Sequence, residues 1–255
     1  RIRPSCSVVF QTRMMTPRSR PPRGLFITLE GTEGCGKSTQ AKLLGEHLRN
    51  QGYDTVETRE PGGTPLAEKI RSLLLDRADE PVAPETEAFL VLAARRQHVA
   101  QVIEPALARG SIVLCDRFID STLAYQGYAR GLDIATLERL NRLATHALMP
   151  DLTLVFDLPV STGLARRRSA AELNRLDRES LRFHRSVRTG FLDLAKRHPA
   201  RIKVLSARAS KEAVARAVAR IVTPMLGHIR RGVDHNRPAA SRPSPQKSQA
   251  RHAIR

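Results

Sequence analysis

The stretch that decides the fold is LFITLEGTEGCGKS, residues 25–38. It begins with the apolar run LFITL, which is rich in residues that favour β-strands. It continues as GTEGCGKS, which fits the phosphate-binding pattern G-x-x-x-x-G-K-[ST] at every fixed position. A helical pattern runs from Lys37 to about Gln51. Because a strand leads in and a helix leads out, the stretch predicts a nucleotide-binding loop.

The residues of this loop suit the binding of a triphosphate. Glycines let the backbone wrap tightly and turn its N–H groups toward phosphate oxygens. Lys37 is predicted to bring a cation to the β- and γ-phosphates of ATP, and Ser38 to offer a hydroxyl to Mg²⁺. Cys35 has no partner cysteine nearby and is interpreted as a small loop residue. The predicted nucleotide-binding residues are Gly31, Thr32, Glu33, Gly34, Cys35, Gly36, Lys37, Ser38 and Thr39.

Strand and helix patterns alternate along the chain up to about residue 226. The predicted strands are 25–29, 55–58, 111–115, 152–158 and 201–205. The predicted helices are 37–51, 65–75, 85–109, 119–127, 133–147, 179–197 and 210–226. Strands that alternate with helices form a parallel sheet covered on both faces. The sequence therefore predicts a three-layer α/β fold of the P-loop NTPase class.

The formal net charge of +18 lies mostly at the two ends of the chain. Residues 1–23 hold six Arg and no acid, while residues 227–255 hold six Arg, one Lys and one Asp. Each end carries +6, so residues 24–226 carry only the remaining +6. Both ends are rich in polar residues and proline, which predicts disordered basic extensions. One enzyme domain is predicted between them, at 24–226.

The first 23 residues have two possible interpretations. Met14 and Met15 lie close to the first strand, so the natural start is expected at one of them. The rival interpretation is an organelle transit peptide, because the stretch is rich in Arg and free of acids.

Hydropathy and cysteine usage favour a cytoplasmic protein that does not span a membrane. No apolar run approaches the roughly 20 residues that a membrane helix requires. The three cysteines, Cys6, Cys35 and Cys115, match neither a metal-binding pattern nor a disulfide framework. Free thiols are typical of a reducing compartment.

Six further motifs narrow the choice among P-loop proteins. They are Arg59-Glu60-Pro61-Gly62-Gly63-Thr64, Ala93-Ala94-Arg95, Asp116-Arg117-Phe118, Ser121-Thr122-Leu123-Ala124-Tyr125-Gln126-Gly127, Pro150-Asp151-Leu152-Thr153 and Asn174-Arg175-Leu176-Asp177. In this order and spacing the set resembles bacterial thymidylate kinases over about residues 24–226. The resemblance implies a five-stranded parallel sheet, the reaction ATP + dTMP → ADP + dTDP with Mg²⁺, and usually a homodimer.

The resemblance also implies roles for single residues around dTMP. Arg117 resembles the arginine that grips the dTMP phosphate, and Arg95 the one that reaches the base and phosphate region. Thr122 resembles a residue that bonds the thymine. Tyr125 and Gln126 resemble the pair beside the sugar, where a bulky ring leaves little room for a 2′-hydroxyl. Arginine suits the phosphate role because its planar fork donates two parallel hydrogen bonds.

Acidic residues complete the implied site. The turn of Glu60, Pro61 and Gly62 borders the dTMP site in the family. Asp116 resembles the strand-end acid near Mg²⁺, so Ser38 and Asp116 are the expected metal ligands. A carboxylate at the end of a central strand faces the ligand crevice of an open α/β sheet.

An Arg-rich segment at about 166–178 resembles the family's LID, which closes over ATP. Glu33, in place of an Arg in the phosphate loop, indicates the bacterial variant, in which the LID supplies the catalytic Arg. Arg166 is one candidate for that cation, and the segment's plainer interpretation is a solvated basic helix. The predicted catalytic residues are Lys37, Arg117, Arg168 and Arg175.

Three positions depart from the family pattern. Val91 stands four residues before Arg95, where the family usually has a Phe that stacks on thymine. Phe89 lies two residues away and would face elsewhere on a helix. Asn174 stands where an acid is common, and Ala170 where the LID often has an Arg. The nucleobase site is therefore expected to be looser than the family norm.

Alternatives remain open at this point. The chain would otherwise be another nucleotide kinase, acting on UMP/CMP or a deoxynucleoside, or a nucleic-acid-binding P-loop protein with basic ends. Single residues also have plainer interpretations. Arg95 and Arg96 would be a solvated helix face, Asp116 and Arg117 a local ion pair, and Tyr125 a core residue.

Overall fold

The computed structural model describes residues 23–76, 80–168 and 173–229. Most of the two predicted extensions, Cys6 and Ala170 lie outside the described residues. Five parallel strands form one sheet in the order β2-β3-β1-β4-β5. The strands are β1 (Phe26–Glu30), β2 (Thr55–Arg59), β3 (Ile112–Asp116), β4 (Leu152–Asp157) and β5 (Ile202–Ser206). The predicted five-stranded parallel sheet is confirmed.

Helices cover both faces of the sheet, as the alternating pattern predicted. They are α1 (Lys37–Asn50), α2 (Pro65–Leu75), α3 (Pro84–His98), α4 (Glu104–Ala108), α5 (Ile119–Thr122), α6 (Ile134–Ala144), α7 (Val160–Arg168), α8 (Leu181–Arg197) and α9 (Lys211–Val222). Short 3₁₀ turns lie at Leu176–Arg178 and Thr223–His228. Among the described residues, no helix is both long enough and apolar enough to cross a bilayer.

The core explains why β1 lies in the middle of the sheet. Every residue of β1 is buried. Ile27 and Leu29 pack with α1 and α9 on one face, while Phe26 packs with Val99 and Ile103 on the other. Apolar side chains on both faces favour a central position in a parallel sheet. The phosphate loop that follows β1 is thereby fixed at the carboxyl edge of the sheet.

Two predicted helices are interrupted. The predicted helix 85–109 consists of α3, a π-helical turn at Val99–Ile103 and α4. Pro105 lies just after the turn and has no N–H to donate to the carbonyl four residues earlier, which explains the change of register. The predicted helix 119–127 is α5 followed by a π-helix, Leu123–Ala129. Such π segments are frequent at functional sites.

Residues at both ends of the described range make tertiary contacts with the domain. The Arg23 guanidinium forms an ion pair with Asp151 at 2.5 Å. At the other end, Leu226 and Ile229 are buried in the same cluster as β1 and α1. Residues 227–229, which were predicted to belong to the C-terminal extension, therefore include a residue of the core, Ile229.

Candidate active site

The phosphate loop joins β1 to α1 in the tight turn that its glycines allow. Gly34 and Gly36 have φ of 68° and 95°, a region that side chains rarely adopt. A Cβ on Gly34 would lie 2.0 Å from the Gly163 carbonyl oxygen on α7. The loop thus packs directly against the helix that leads into the Arg-rich segment.

Lys37 lies at the start of α1 and is almost fully buried. Its Nζ donates to the carbonyl oxygens of Gly31 at 3.1 Å and Thr32 at 2.9 Å. These neutral carbonyls hold the ammonium over the loop without neutralising its charge. The cation therefore faces the loop cradle, where phosphate oxygens bind in proteins with this motif.

Ser38 and Asp116 meet across the carboxyl edge of the sheet. The Ser38 hydroxyl donates to the Asp116 carboxylate at 2.5 Å, and both residues line the same cavity. Among the described residues, no group of three or more His, Cys, Asp or Glu gathers as a metal site. This pair fits Mg²⁺, which is commonly bound by one or two carboxylates together with substrate phosphates.

Three side chains donate hydrogen bonds to the Glu33 carboxylate and hold it in place. It accepts hydrogen bonds from Arg117 at 3.1 Å, from the Tyr125 hydroxyl and from His184 at 3.2 Å. Burial alone would raise the pKa of Glu33, but the His184 hydrogen bond and the Arg117 and Lys37 charges hold it well below its ordinary value. Glu33 is therefore a carboxylate, and it orients Arg117 and Tyr125 toward each other.

Arg117 follows β3 in a strained conformation. Its φ is 74°, in the left-handed region that a non-glycine residue rarely occupies. The guanidinium lies 5.0 Å from the Tyr125 ring centroid and donates to the Gly31 carbonyl. Since such strain persists only where surrounding contacts impose it, it marks Arg117 as a functional candidate. Arg117 forms an ion pair with Glu33, so the alternative interpretation of a local ion pair with Asp116 is not the arrangement found.

Positive charge gathers on one side of the cavity. The cavity has a volume of about 340 Å³. Arg59, Arg71 and Arg117 all line it. Burial and the nearby charge of Arg59 lower the pKa of Arg71, because like charges disfavour one another. An anion in the cavity would relieve this repulsion.

The other end of the cavity is built around Arg95. This side chain is only 1% exposed, so its interpretation as a solvated helix face is wrong. It donates to Glu60 at 2.7 Å, to Thr122 at 2.8 Å and to Asn141 at 2.5 Å. Val91, one turn earlier on α3, lines the same cavity, whereas Phe89 points outward and is 60% exposed.

The comparisons with known proteins identify the family. The family model for thymidylate kinase matches residues 29–218. The chain belongs to the thymidylate kinase family. It is 53% identical over 206 residues to a thymidylate kinase of Pseudomonas putida strain W619, covering 81% of this chain and 100% of that protein. It is 55% identical over 207 residues to one of Thermomicrobium roseum, covering 81% and 98%.

A solved thymidylate kinase has the same fold. The crystal structure of the Ehrlichia chaffeensis enzyme aligns with a TM-score of 0.65 and 36% sequence identity. The alignment covers 79% of this chain and 99% of that one. The three-layer P-loop fold predicted for the sequence is thereby confirmed, and so is the thymidylate kinase resemblance.

The cavity gathers most of the residues predicted for a thymidylate kinase site, and they come from elements far apart in sequence. Those that line it are Glu33, Gly34, Lys37, Ser38, Glu60, Pro61, Arg95, Asp116, Arg117, Thr122, Tyr125 and Gln126. The predicted residues that do not line it are Gly31, Thr32, Cys35, Gly36, Thr39, Gly62, Arg168 and Arg175. Most of the second group shape the loop or belong to the Arg-rich segment.

The arginines of the Arg-rich segment lie in different places: one lines the cavity, and others point away from it. Arg175 donates to Glu87 at 2.6 Å and to the Leu74 carbonyl at 2.9 Å, so its guanidinium is turned toward α2 and α3. Arg168 is exposed at the end of α7. Arg167 lines the cavity and donates to Asp177 at 3.0 Å. In this conformation Arg167 is therefore the closest of the three to the site.

The sequence did not single out several residues that build the site. Arg71 lies on α2 and donates to the Pro61 carbonyl at 2.8 Å, and His184 lies on α8 beneath Glu33. Glu30, at the end of β1, accepts from Ser121 and the Phe118 N–H. Burial and the charge of Asp120 raise the pKa of Glu30 to about 7. Of these three residues, only Glu30 could have been found from the sequence, because it is an acid that directly follows the apolar run of the first strand.

Proposed function

We propose that this chain transfers the γ-phosphate of ATP to dTMP, giving ADP and dTDP. The observation that carries the proposal is one continuous cavity. It joins the phosphate-loop Lys37 to the arginines around Arg117 and to the buried Arg95. Two phosphorylated ligands placed along such a cavity would meet beside Lys37. Phosphoryl transfer depends mainly on positioning and charge neutralisation, and this arrangement offers both.

The ATP half of the site follows from the loop. The backbone of residues 31–36 and the positive end of α1 would hold the phosphates, with Lys37 beside the transferring group. Ser38 and Asp116 would hold Mg²⁺. When bound, the ion neutralises charge that develops on the phosphate oxygens.

The dTMP half follows from the arginines and the acids that fix them. Arg117 would bind the acceptor phosphate, because Glu33 and Tyr125 hold its fork toward the cavity. Arg71 and Arg59 would add positive charge beside it. Without this charge, two polyanions would repel each other at bonding distance. Thr122 and Arg95 would contact the base, with Glu60 and Pro61 at the border.

Tyr125 is proposed to exclude ribonucleotides. Its ring is fixed by edge-on contacts with Phe183 and Phe191, with centroids 6.0 and 6.3 Å away. Its hydroxyl is bound to Glu33. Tyr125 is therefore both a core residue and a cavity residue. A ring held this firmly does not yield to an added 2′-hydroxyl, which would clash or lose water without gaining a partner.

A substrate panel tests the proposal. We expect kcat/KM for dTMP to exceed that for UMP by at least about 100-fold, since sterics and unpaired polar groups discriminate strongly. The preference over dUMP should be smaller, about tenfold, because one methyl group is worth only about 1–3 kcal/mol. Val91→Phe should lower the KM for dTMP about two- to tenfold, since aromatic stacking adds about 0.5–1.5 kcal/mol.

The control for Val91→Phe is Thr86→Ala at an exposed position of the same helix, which should leave the KM unchanged. Equal use of UMP and dTMP would refute the thymidylate assignment in favour of a broader nucleotide kinase. An unchanged KM in Val91→Phe would show that Val91 does not contact the base.

The catalytic cation of the LID remains a proposal. Arg168 and Arg175 were predicted from the resemblance, and Arg166 is a further candidate. Arg167 joins them because it lines the cavity. A LID that closes over ATP would have to release Arg175 from Glu87 before that guanidinium reached the phosphates. The kcat values of the four single alanine variants measure which guanidinium is needed.

Assembly and location are also proposals. We propose a cytoplasmic homodimer, as the resemblance implies. Large apolar side chains lie exposed on the neighbouring helices α2, α3 and α6, and a partner subunit would cover them. They are Leu66, Leu73, Phe89 and Leu143. Light scattering of the purified protein measures its mass in solution, and a monomer would contradict the dimer.

A further inference from the structure

Glu87, in the first turn of α3, is the buried acid that connects the base end of the cavity to the LID. It is 1% exposed. One carboxylate oxygen accepts from the Gln126 amide nitrogen at 2.7 Å. The same oxygen accepts a longer bond from Arg130 Nε at 3.4 Å. The other oxygen accepts from Arg175 at 2.6 Å and from an Arg130 NH₂ group at 3.2 Å. None of the sequence motifs includes Glu87, and it does not line the cavity itself.

These contacts keep Glu87 ionised. Burial alone would raise its pKa, but hydrogen bonds from Arg175, Arg130 and Gln126 outweigh burial and hold the pKa below its ordinary value. An ionised carboxylate only accepts hydrogen bonds. Any side-chain amide beside Glu87 must therefore turn its NH₂ group, not its carbonyl oxygen, toward the carboxylate.

Gln126 is the amide that this rule fixes. Its nitrogen must face Glu87, so its carbonyl oxygen is the end left for the cavity that Gln126 lines. Val91, Arg95 and Thr122 line the same cavity. Thr122 lies four residues before Gln126, and Val91 lies four residues after Glu87 on α3. This is the end where the nucleobase would lie, so Gln126 is assigned here to the base rather than to the sugar, beside which the resemblance placed it. The site therefore offers an acceptor at Gln126 and demands a donor from the base.

We propose that Glu87 is a positioning residue for nucleobase selection, holding the Gln126 carbonyl toward the cavity so that the site accepts a base with an N3–H donor. Thymine and uracil carry that donor, whereas cytosine has a bare N3 acceptor. The proposal rests on the proposed function, since it concerns the acceptor nucleotide of the same reaction. It assigns Glu87 no contact with the substrate.

The isosteric variant Glu87→Gln should shift the base preference in one direction, from thymine toward cytosine. Its new amide has one acceptor and one donor end. Two guanidinium groups compete for the acceptor end, and charged donors bind it more strongly than the neutral Gln126 amide. The donor end is then left facing Gln126. Gln126 is expected to invert, turning its own NH₂ toward the cavity, where it suits cytosine and opposes thymine.

The test is kcat/KM for dTMP, dUMP and dCMP in wild type and Glu87→Gln. The ratio of dTMP to dCMP should fall about tenfold or more, as expected when a buried donor faces a donor. The ratio of dTMP to dUMP should not change, because both bases carry N3–H. A merely structural role would lower all three values together and leave both ratios unchanged, which would overturn the proposal.

Two matched controls separate base selection from loss of charge. Glu85→Gln removes an exposed acid from the same helical turn. Glu179→Gln removes the other carboxylate that binds Arg130, at 2.6 Å. Neither residue contacts Gln126, so both variants should keep the wild-type ratios. A fall in the dTMP to dCMP ratio in either control would contradict the specific role of Glu87.

A measurement on the wild-type protein covers the case in which Glu87→Gln does not fold. The ¹⁵N-labelled Gln126 side-chain amide, assigned by its loss in Gln126→Leu, should be protected from solvent exchange without dTMP. Rapid exchange would contradict the fixed orientation. Failure of the proposed function would look different, because wild type itself would then show no preference for dTMP.

Discussion

Replacing Lys37 with alanine should lower kcat by about 100- to 1,000-fold while the fold persists. Removing one group that stabilises developing charge in a phosphoryl-transfer site costs about 3–4 kcal/mol. Lys37 has no acidic partner among its hydrogen bonds, which go to the carbonyls of Gly31 and Thr32 and weakly to the Cys35 thiol. Its charge is therefore available to phosphate. Steady-state rates with ATP and dTMP measure the loss.

The fold of the variant should survive because α1 is held by its apolar face. Leu44 and Leu48 are buried in the core with β1 and α9, and alanine is a good helix former. Circular dichroism checks this. Lys42→Ala, an exposed lysine on the same helix, is the matched control and should keep wild-type turnover. If Lys37→Ala turned over at a near-normal rate, the phosphate-loop assignment would fail.

Arg117→Ala should lower kcat/KM for dTMP by about 100- to 1,000-fold, since a bidentate charged contact to phosphate is lost. Arg117→Lys should recover only part of this, because an ammonium keeps the charge but lacks the planar fork. Both variants keep a Cβ at φ 74°, so backbone strain is the same in each. Initial rates at varied dTMP and fixed ATP measure the change.

Arg216→Ala, an exposed arginine on α9, controls for the general loss of positive charge. It should leave kcat/KM unchanged. The KM for ATP adds a second comparison, because Arg117 is assigned to the acceptor phosphate. A variant in which only the ATP KM rises would place Arg117 on the donor side instead.

Much of the site could be predicted because its residues lie next to the ends of strands. Lys37 and Ser38 follow β1 within a fixed pattern, and Asp116 and Arg117 end β3. Parallel strands bring their carboxyl ends to one edge of the sheet, so residues at strand ends meet whatever their separation in sequence. The pairing of Leu29 with Asp116 places these two ends side by side.

Residues within helices could not be predicted in the same way. Glu87, Arg71 and His184 lie within helical patterns where charged and polar residues normally face solvent. The burial of Glu87 and His184 and the half-buried position of Arg71 depend on which helix packs against which. The position of Gln126 beside Glu87 depends on the π-helix at Leu123–Ala129. Arg95 shows the same limit, because its motif was visible in the sequence but its complete burial was not.

The sequence by itself determined the class of fold, the phosphate loop and the family, because each depends on short-range patterns of residue type. Only the tertiary structure decided which partners the charged side chains bind and which way they point. It placed Glu33 under three donors, turned Arg175 to Glu87 rather than to the cavity, and fixed the Gln126 amide. Hydrogen bonds and burial act over a few ångströms between residues distant in the chain, so their effects appear only once the helices are packed.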